Sequence, residues 1–311
     1  MEAQRPVVSF ELTSCPLCEE KNSEQMYVAS DRHYGIPGRY RIVRCSGCSL
    51  LFLNPMYSDE ELAKLYPTDY YAYQDNFYRS RWKGVLRAIL GYRIRTLDPQ
   101  FTRPGRMLDL GCGSGWFLAS MREKGWETQG VEISSAAADL GRKAAGLDIF
   151  TGTLEQAAFP SESFDYIRSN HSFEHISSPK ETLDEIHRIL KRDGKLLIGV
   201  PNEASITSKI FGQYWWYRGA PVHPFTYSPS NLCALLRKHH FQIERVAYNS
   251  DGCGILGSFQ IWLNRNNGRR SHEGVFFNNQ ILKLASHWAA RITDVLGLGD
   301  EIEVTAVKSN K

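Results

Sequence analysis

From residue 106 onward the sequence alternates short apolar runs with longer amphipathic segments, and this rhythm limits the possible folds more than any other feature. The apolar runs predict strands at 106–112, 128–133, 148–152, 164–169, 195–201, 242–248 and 301–307. Helices are predicted near 115–124, 135–145, 180–191 and 229–239. Strands joined by helices of this length pair in parallel through right-handed crossovers, with helices on both faces. We therefore expect an α/β fold with a doubly wound, mostly parallel sheet of seven strands.

The overall composition is that of a globular protein. The chain has 311 residues, is 42% hydrophobic and carries a net charge of only +3, which argues against nucleic acid as a partner. No window is apolar enough for a transmembrane helix, and residues 1–12 do not have the pattern of a signal peptide. The sequence divides into an N-terminal module (1–57), a helical connector with a basic stretch between Arg79 and Arg95 (58–104), and the α/β domain (105–311).

Four of the seven cysteines form two C-x-x-C pairs in the N-terminal module. A C-x-x-C turn points two thiolates at one centre, and two such turns complete a tetrahedral zinc site. All four ligand positions are then filled, so the zinc is predicted to be structural and the module to resemble a zinc ribbon. Free thiolates that bind metal are typical of a reducing compartment, so we expect a cytoplasmic protein. The predicted ligands are Cys15, Cys18, Cys45 and Cys48.

The segment DLGCGSG (109–115) follows the first predicted strand of the α/β domain and opens a helix. Glycines at alternate positions permit a tight turn and a close approach of the backbone to a ligand. This D-x-G-x-G-x-G spacing resembles motif I of the class I S-adenosylmethionine (SAM) methyltransferases. Glu132 ends the next predicted strand, where a carboxylate can accept both hydroxyls of a ribose.

The resemblance extends over nearly the whole chain. Residues 106–201, including SFDYI (163–167) and GVPN (199–202), are similar to a class I methyltransferase with its Rossmann-like fold. The segment RCSGCSLLFLNPMYSDEELAKLYPTDYYAY (44–73) resembles the zinc-binding leader of bacterial methyltransferases that modify sugars and cell-surface glycans. The resemblance implies that SAM contacts Asp109, Gly111, Cys112, Gly113, Gly115, Glu132, Ile133, Thr153, Leu154, Asn170 and His171.

One position departs from the family pattern. After the third strand such enzymes often carry an acid that pairs with the adenine amino group, whereas this chain reads T-G-T-L-E (151–155). Thr153 stands where the acid is expected. The adenine amino group is then held by Thr153, by backbone or by Glu155.

The segment SNHSFEHISSP (169–179) leaves the fourth predicted strand at its carboxyl end, the edge where open α/β sheets bind ligands. Three interpretations are open. His175 orders the loop while proximity alone drives the reaction, or His175 is a general base, as the corresponding histidine is in deoxysugar C-methyltransferases. Alternatively, His171, Glu174 and His175 bind a divalent metal, as E-x-x-E-H does in ubiquinone-pathway O-methyltransferases. The base interpretation is preferred, with an imidazole limb near pH 6–7 in the rate profile.

A second histidine follows the fifth predicted strand, in V-H-P-F-T-Y-S (222–228). This segment resembles E-H-x-x-x-F-S of the sugar methyltransferases, with Val222 in place of the glutamate. The resemblance makes His223 and Tyr227 candidates for proton handling or substrate contact. The expected reaction is methyl transfer from SAM to a sugar, a sugar nucleotide or a glycan-linked acceptor. A quinone or lipid-like acceptor is the alternative, and a nucleic-acid-binding module is a third hypothesis that the low charge disfavours.

About 50 residues, from 250 to 300, are inserted before the last predicted strand. They carry two predicted helices, 252–265 and 278–296. The second is rich in apolar residues, so a buried core helix is the default expectation. A homodimer face or a contact with a lipid-linked substrate at a membrane surface is the alternative.

Overall fold

A computed structural model describes residues 9–65, 103–267 and 269–309 of the chain. Most of the connector predicted at 58–104, including its basic stretch, lies outside the described residues. Within the described part, no helix is long and apolar enough to cross a bilayer.

The N-terminal module is a small antiparallel structure with one short helix. Strand β3 pairs with β2 on one side and with β4 on the other, and β1 pairs with β5. The elements are β1 (Ser9–Phe10), β2 (Ser23–Ala29), β3 (Tyr40–Cys45), β4 (Leu51–Leu53), β5 (Met56–Tyr57) and α1 (Asp59–Leu65).

The main sheet confirms the predicted α/β fold. Its strand order is β12-β13-β10-β9-β6-β7-β8, and every pairing is parallel except those of β13, which runs antiparallel to both neighbours. The seven strands are β6 (Arg106–Leu110), β7 (Glu127–Glu132), β8 (Asp148–Thr151), β9 (Phe164–Asn170), β10 (Leu190–Pro201), β12 (Phe241–Tyr248) and β13 (Glu301–Lys308). A further strand, β11 (Phe225–Thr226), pairs with β4 and ties the N-terminal module to the main domain.

The predicted helices of the α/β domain begin and end within a few residues of their predicted positions, whereas the helices Ile206–Phe211 and Val275–Asn278 were not predicted. Local signals explain several ends: Ser134 caps one helix, Pro179 opens another at its first turn, and Ser228 with Asn231 forms a capping box. The helices are α2 (Trp116–Glu123), α3 (Ser135–Ala145), α4 (Pro179–Ile189), α5 (Ile206–Phe211), α6 (Pro229–Lys238), α7 (Cys253–Leu263), α8 (Val275–Asn278) and α9 (Gln280–Val295).

One hydrophobic cluster joins the sheet to the N-terminal module. Side chains of β9, β10 and β13, such as Ile198 and Val304, belong to the same buried cluster as Cys15, Cys45 and Tyr227. The cysteine turns therefore share one buried core with the segment that follows β10. Loss of order at the cysteines is expected to reach this part of the main domain.

The expectation that the second inserted helix is a buried core helix is wrong. Along α9 the large apolar side chains face outward, and Ile281 and Trp288 keep 78% and 59% of their surface exposed. The inward face carries Ser286, His287 and Ala290. Periodicity shows that a helix has an apolar side, but it does not show what covers that side.

Candidate functional site

The glycine loop joins β6 to α2 in a conformation that only glycine adopts easily. Gly111, Gly113 and Gly115 have φ angles of 72°, 55° and 76°. A Cβ at Gly111 would lie 1.9 Å from the Oγ of Ser172, so the loop touches the segment that follows β9. Because glycine has no Cβ, the loop packs closely against the predicted site segment at 169–179, which contains Ser172.

Glu132, at the end of β7, organises this loop. Its Oε2 accepts a hydrogen bond from the Gly113 N–H and its Oε1 accepts one from the Ser134 N–H, both at 2.8 Å. Burial raises the pKa of Glu132, and the two backbone N–H groups oppose that shift. Each carboxylate oxygen retains a second lone pair, which suits the predicted bonds to ribose hydroxyls. Ile133 follows with a partly exposed side chain.

Asp109 has a different environment from the one a cofactor contact requires. Its buried carboxylate accepts a hydrogen bond from Arg168 on β9 at 2.8 Å, and the guanidinium lies 4.1 Å from the centre of the Phe117 ring. Burial raises the pKa of Asp109, and Arg168 opposes this. The pair ties β6 to β9 beneath the glycine loop, next to the buried thiol of Cys112.

The turn after β8 contains the predicted adenine contacts. The Thr153 N–H donates to Gln156 at 2.9 Å, and Leu154 is buried in the main hydrophobic cluster. Glu155 accepts a hydrogen bond from the Thr182 hydroxyl at 2.9 Å. One oxygen of Glu155 is thus held by α4, whereas Thr153 is half-buried within the turn.

Asn170 and His171 begin the loop after β9. Gly199 on the neighbouring strand makes room for Asn170, because a Cβ there would lie 2.2 Å from its Oδ1. The His171 Nε2 lies 2.9 Å from an oxygen of Glu301, and its Nδ1 lies 3.6 Å from Glu174. Burial lowers the pKa of His171, but Glu301 and Glu174 outweigh it and raise the pKa well above its ordinary value.

Three residues that the sequence did not single out complete the surroundings of His171. The Tyr217 hydroxyl donates to Glu301 and lies 3.2 Å from an oxygen of Asp251, and the Asp251 N–H donates to Glu301. Glu301 opens β13, Tyr217 follows β10 and Asp251 precedes α7. They lie far apart in the chain and belong to no local motif, so only the folded chain brings them together.

The imidazoles of His175 and His223 are both held in one tautomer. The His175 Nδ1 donates to the Val222 carbonyl at 2.7 Å, and the His223 Nδ1 donates to the Tyr217 carbonyl at 2.9 Å. A carbonyl oxygen only accepts, so each neutral ring carries its lone pair on Nε2. Burial lowers the pKa of His175 to about 4 and that of His223 to about 3. Desolvation favours the neutral ring, so we expect the imidazole limb at a lower pH than the predicted 6–7.

Glu174 lies beside these rings as a buried carboxylate. Only 1% of its surface is exposed, and within the described residues neither of its oxygens has a hydrogen-bond partner. One ligand atom each from Glu174, His175 and His223 lies within 4.8 Å of the others, a spacing that suits a divalent cation. The buried Tyr227 hydroxyl also has no hydrogen-bond partner in the described part, and burial, with a contribution from Glu174, raises its pKa well above the ordinary value. The sequence predicted His171, Glu174 and His175 as metal ligands, whereas the structure groups His223 with Glu174 and His175.

The four cysteines of the N-terminal module converge as predicted. Their sulfur atoms lie within 4.8 Å of one another, with 3.6 Å between Cys15 and Cys48 and 3.4 Å between Cys18 and Cys45. Sulfur atoms bound to one tetrahedral zinc are separated by about 3.8 Å, so the cluster fits this ion. Burial raises the pKa of the Cys45 thiol, and the Gly47 N–H, which donates to its sulfur at 3.3 Å, opposes this shift.

A family model described as a methyltransferase domain matches residues 80–246, more than half of the chain. The chain therefore belongs to this family and contains a SAM-dependent methyltransferase domain. Its strand order, with the last strand antiparallel between the fifth and sixth, is that of the class I methyltransferase fold.

Individual relatives cover different parts of the chain. An uncharacterised protein of Methanocaldococcus jannaschii is 33% identical over 131 residues, which are 42% of this chain and 61% of that protein. A ubiquinone biosynthesis O-methyltransferase of Xanthomonas oryzae pv. oryzae is 27% identical over 193 residues, which are 58% of this chain and 77% of the relative. The chain thus spans less than two thirds of the length of the archaeal relative.

Similarity to solved structures extends to the fold. A solved complex between the Haloferax volcanii Trm112 methyltransferase activator and a methyltransferase contains a similar chain, with a TM-score of 0.51 and 16% identity. The alignment covers 78% of this chain and 96% of that one. At this identity the similarity supports the fold alone.

Proposed function

We propose that the whole protein is a SAM-dependent methyltransferase that acts on a hydroxyl of a sugar, a sugar nucleotide or a glycan-linked acceptor. One observation carries the proposal: a carboxylate oxygen of Glu174 and one ring nitrogen each of His175 and His223 lie within 4.8 Å of one another, in the segments that leave β9 and β10. Three acceptors in a buried site suit a ligand rich in hydroxyl donors. Surface-polysaccharide or a related biosynthesis is the proposed setting.

The proposed cofactor cradle consists of the glycine loop and Glu132. The Glu132 carboxylate and the close approach that the glycine backbone permits orient the nucleoside and amino-acid parts of SAM. SAM supplies a methyl group on a sulfonium leaving group. Asn170 and His171 lie where β9 ends, at the same edge of the sheet, and Thr153 lies in the turn that follows β8.

His175 is the proposed proton acceptor, with His223 and Tyr227 contacting the acceptor molecule. The acceptor oxygen passes its proton to the Nε2 of His175 while it forms the bond to the methyl group. A ring with a pKa of about 4 is sufficient for this. An oxygen that is gaining a methyl group is oxonium-like and far more acidic than an imidazolium ion. The low pKa also keeps His175 in its accepting form at neutral pH.

A second candidate is metal-assisted O-methylation of a quinone-related or lipid-like acceptor. The spacing of Glu174, His175 and His223 favours it, because two neutral imidazoles and a carboxylate suit a transition metal. The similarity to a ubiquinone biosynthesis O-methyltransferase points in the same direction. In this case the histidines would be ligands and the metal would acidify the acceptor hydroxyl.

The N-terminal cysteines are proposed to hold one structural zinc ion. Residues 1–57 would then form a zinc module, 58–104 a connector and 105–311 the methyltransferase domain with its helical insertion. The packing of Cys15 with Tyr227 in one cluster suggests that the module supports the acceptor side of the site. A cytoplasmic location suits free thiolates that bind zinc.

An acceptor panel distinguishes the two candidates. The purified protein is incubated with methyl-labelled SAM and either nucleotide sugars or dihydroxybenzene acceptors, with and without EDTA. We expect label in a sugar, unaffected by EDTA at a level that leaves the cysteine-bound zinc in place. Labelling of dihydroxybenzenes alone, abolished by EDTA and restored by a divalent cation, would replace the first candidate with the second. SAM binding without transfer to either class would contradict both.

A further inference from the structure

Helix α9 presents a continuous apolar stripe to the exterior. Its members follow one another at helical spacing of three or four residues, and Ile292 and Val295 keep 63% and 87% of their surface exposed. The stripe consists of Ile281, Leu284, Trp288, Ile292 and Val295. Isolated exposed apolar residues are common, whereas an ordered stripe of this size marks an interaction surface.

The inward side of α9 is smaller and more polar than its outward side. Ser286 donates to the Gly252 carbonyl at 2.6 Å, and the Asp294 carboxylate accepts from both the N–H and the hydroxyl of Ser250. These contacts fix the rotation of the helix about its axis. The outward stripe is therefore not a core face that a small rotation would bury.

Helices α7 and α8 pack against α9 and form one helical layer with it. Both α7 and α8 carry exposed aromatic rings. Phe259 stacks on Trp262 with centroids 6.1 Å apart, and it meets Phe276 edge to face at 5.7 Å. All three rings are partly exposed. We call these rings and the α9 stripe together the apolar face. Tryptophan and phenylalanine are favoured where a protein meets the interface of a bilayer.

Basic residues accompany the apolar face. The Arg265 guanidinium lies 4.2 Å from the centre of the Trp262 ring, and the Lys283 ammonium lies 5.1 Å from that of Phe277. The segment 253–296 carries an excess of cations: its bases are Arg265, Arg269, Arg270, Lys283 and Arg291, and its acids are Glu273 and Asp294. Of the two acids, Asp294 is already paired with Arg291.

We propose that the apolar face docks on an anionic membrane surface, with α9 lying in the plane of the interface. The stripe and the aromatic rings enter the boundary between headgroups and acyl chains, while the basic side chains contact lipid phosphates. The positive charge argues against a second copy of the chain as the occupant. A two-fold interface would bring two copies of this positively charged face together, which costs free energy unless acids intervene.

Vesicle flotation with the full-length protein tests this proposal. The protein is mixed with vesicles of phosphatidylcholine alone or of phosphatidylcholine with phosphatidylglycerol, and the bound fraction is measured at low and high salt. We expect binding to the anionic vesicles that weakens in high salt, and little binding to the neutral ones. The double variant Trp288→Ser and Ile292→Ser should reduce binding to anionic vesicles by about tenfold or more. Arg269→Gln with Lys283→Gln should reduce it in low salt and lessen its dependence on salt.

The matched control is Phe10→Ser, which removes an exposed ring on β1, outside the helical layer, and should bind as the unaltered protein does. Circular dichroism and thermal melting confirm that each variant is folded, and SAM affinity is measured in parallel because it does not depend on this face. No vesicle binding by the unaltered protein would overturn the proposal. A dimer in sedimentation that the Trp288 and Ile292 double variant dissolves, without vesicle binding, would identify a second copy as the occupant. Equal binding to neutral and anionic vesicles would remove the role of the charge.

Discussion

The imidazole rings of His175 and His223 meet edge to face, with their centroids 4.5 Å apart and their planes at 83°. The two residues are on separate segments, one after β9 and the other after β10. Both rings are anchored by backbone carbonyls that their Nδ1 atoms contact. The contact brings the two histidine motifs into one site, and the two carbonyls leave Nε2 as the nitrogen that carries the lone pair in each neutral ring.

His175→Ala should lower the turnover rate by ~10²–10⁴ while SAM affinity stays nearly unchanged, because a proton acceptor is lost and the cofactor cradle is not. His223→Ala should cause a smaller loss or mainly raise KM, as expected for a substrate contact. Single-turnover rates and calorimetric SAM affinities measure the two effects separately. His240→Ala, at an exposed position, is the control. A loss of less than tenfold for both site histidines, per folded enzyme, would leave His175 a purely structural role.

Glu132→Gln should weaken SAM binding, by about 1–3 kcal/mol. The amide group of glutamine turns a donor toward the N–H of either Gly113 or Ser134, both of which need an acceptor. The lost charge also weakens the contact with the ribose hydroxyls. Glu127→Gln is the matched control, because Glu127 begins the same strand with a largely exposed side chain. Equal calorimetric affinities for the two variants would contradict the assignment of Glu132 to the cofactor.

Gly111→Ala should lower both SAM affinity and stability. The new methyl group would meet the Ser172 side chain, and the φ of 72° is unfavourable for alanine. Adding Ser172→Gly removes the steric clash and leaves only the backbone strain, which costs about 1 kcal/mol. The double variant should therefore bind SAM better than Gly111→Ala alone. If it does not, the contact between the glycine loop and the segment after β9 is not what requires glycine.

The sequence predicted the sheet and the cofactor loop well because both follow from local patterns. Alternating apolar and amphipathic segments determine the strand and helix positions, and the glycine spacing identifies the turn after the first strand of the main sheet. His175 and His223 could be related because segments that leave neighbouring parallel strands at their carboxyl ends meet at one edge. The insertion offered no such rule, so the orientation of α9 was predicted wrongly.

Other parts of the site depend on long-range packing. Arg168 faces Asp109 only because β9 lies beside β6, and a single arginine within a strand gives no sign of this pairing. Glu301 reaches His171 because β13 runs antiparallel to β10 and begins opposite Pro201, where β10 ends. Sequence separation hides both contacts. The pKa of His175 was likewise unpredictable, since burial decides it and burial is a property of the folded chain.

Replacing Cys45 and Cys48 by serine should remove about one equivalent of zinc and lower the thermal midpoint, because a structural zinc contributes directly to folding free energy. Both residues belong to the four-sulfur cluster. Cys253→Ser is the control, because this cysteine lies outside the cluster at the start of α7. Elemental analysis and melting curves make the comparison. A native protein that is free of zinc and as stable as the zinc-bound form would exclude a structural zinc.

The free energy of unfolding should decrease as the pH is lowered below about 6.5, in part because of the two buried histidines. The pKa of His175 is lowered from 6.5 to about 4 and that of His223 to about 3, so the unfolded chain binds these protons before the native protein does. The contribution is complete above pH ~6.5 and is lost toward pH ~4 for His175, at about 1.4 kcal/mol per pH unit.

His175→Asn keeps a donor for the Val222 carbonyl and removes the titration. Denaturant unfolding at a series of pH values should give a shallower acid slope for this variant. His240→Asn, at an exposed position with a positive φ that asparagine tolerates, is the control for the substitution itself. Identical slopes for His175→Asn and the unaltered protein would mean that His175 titrates alike in the folded and unfolded states.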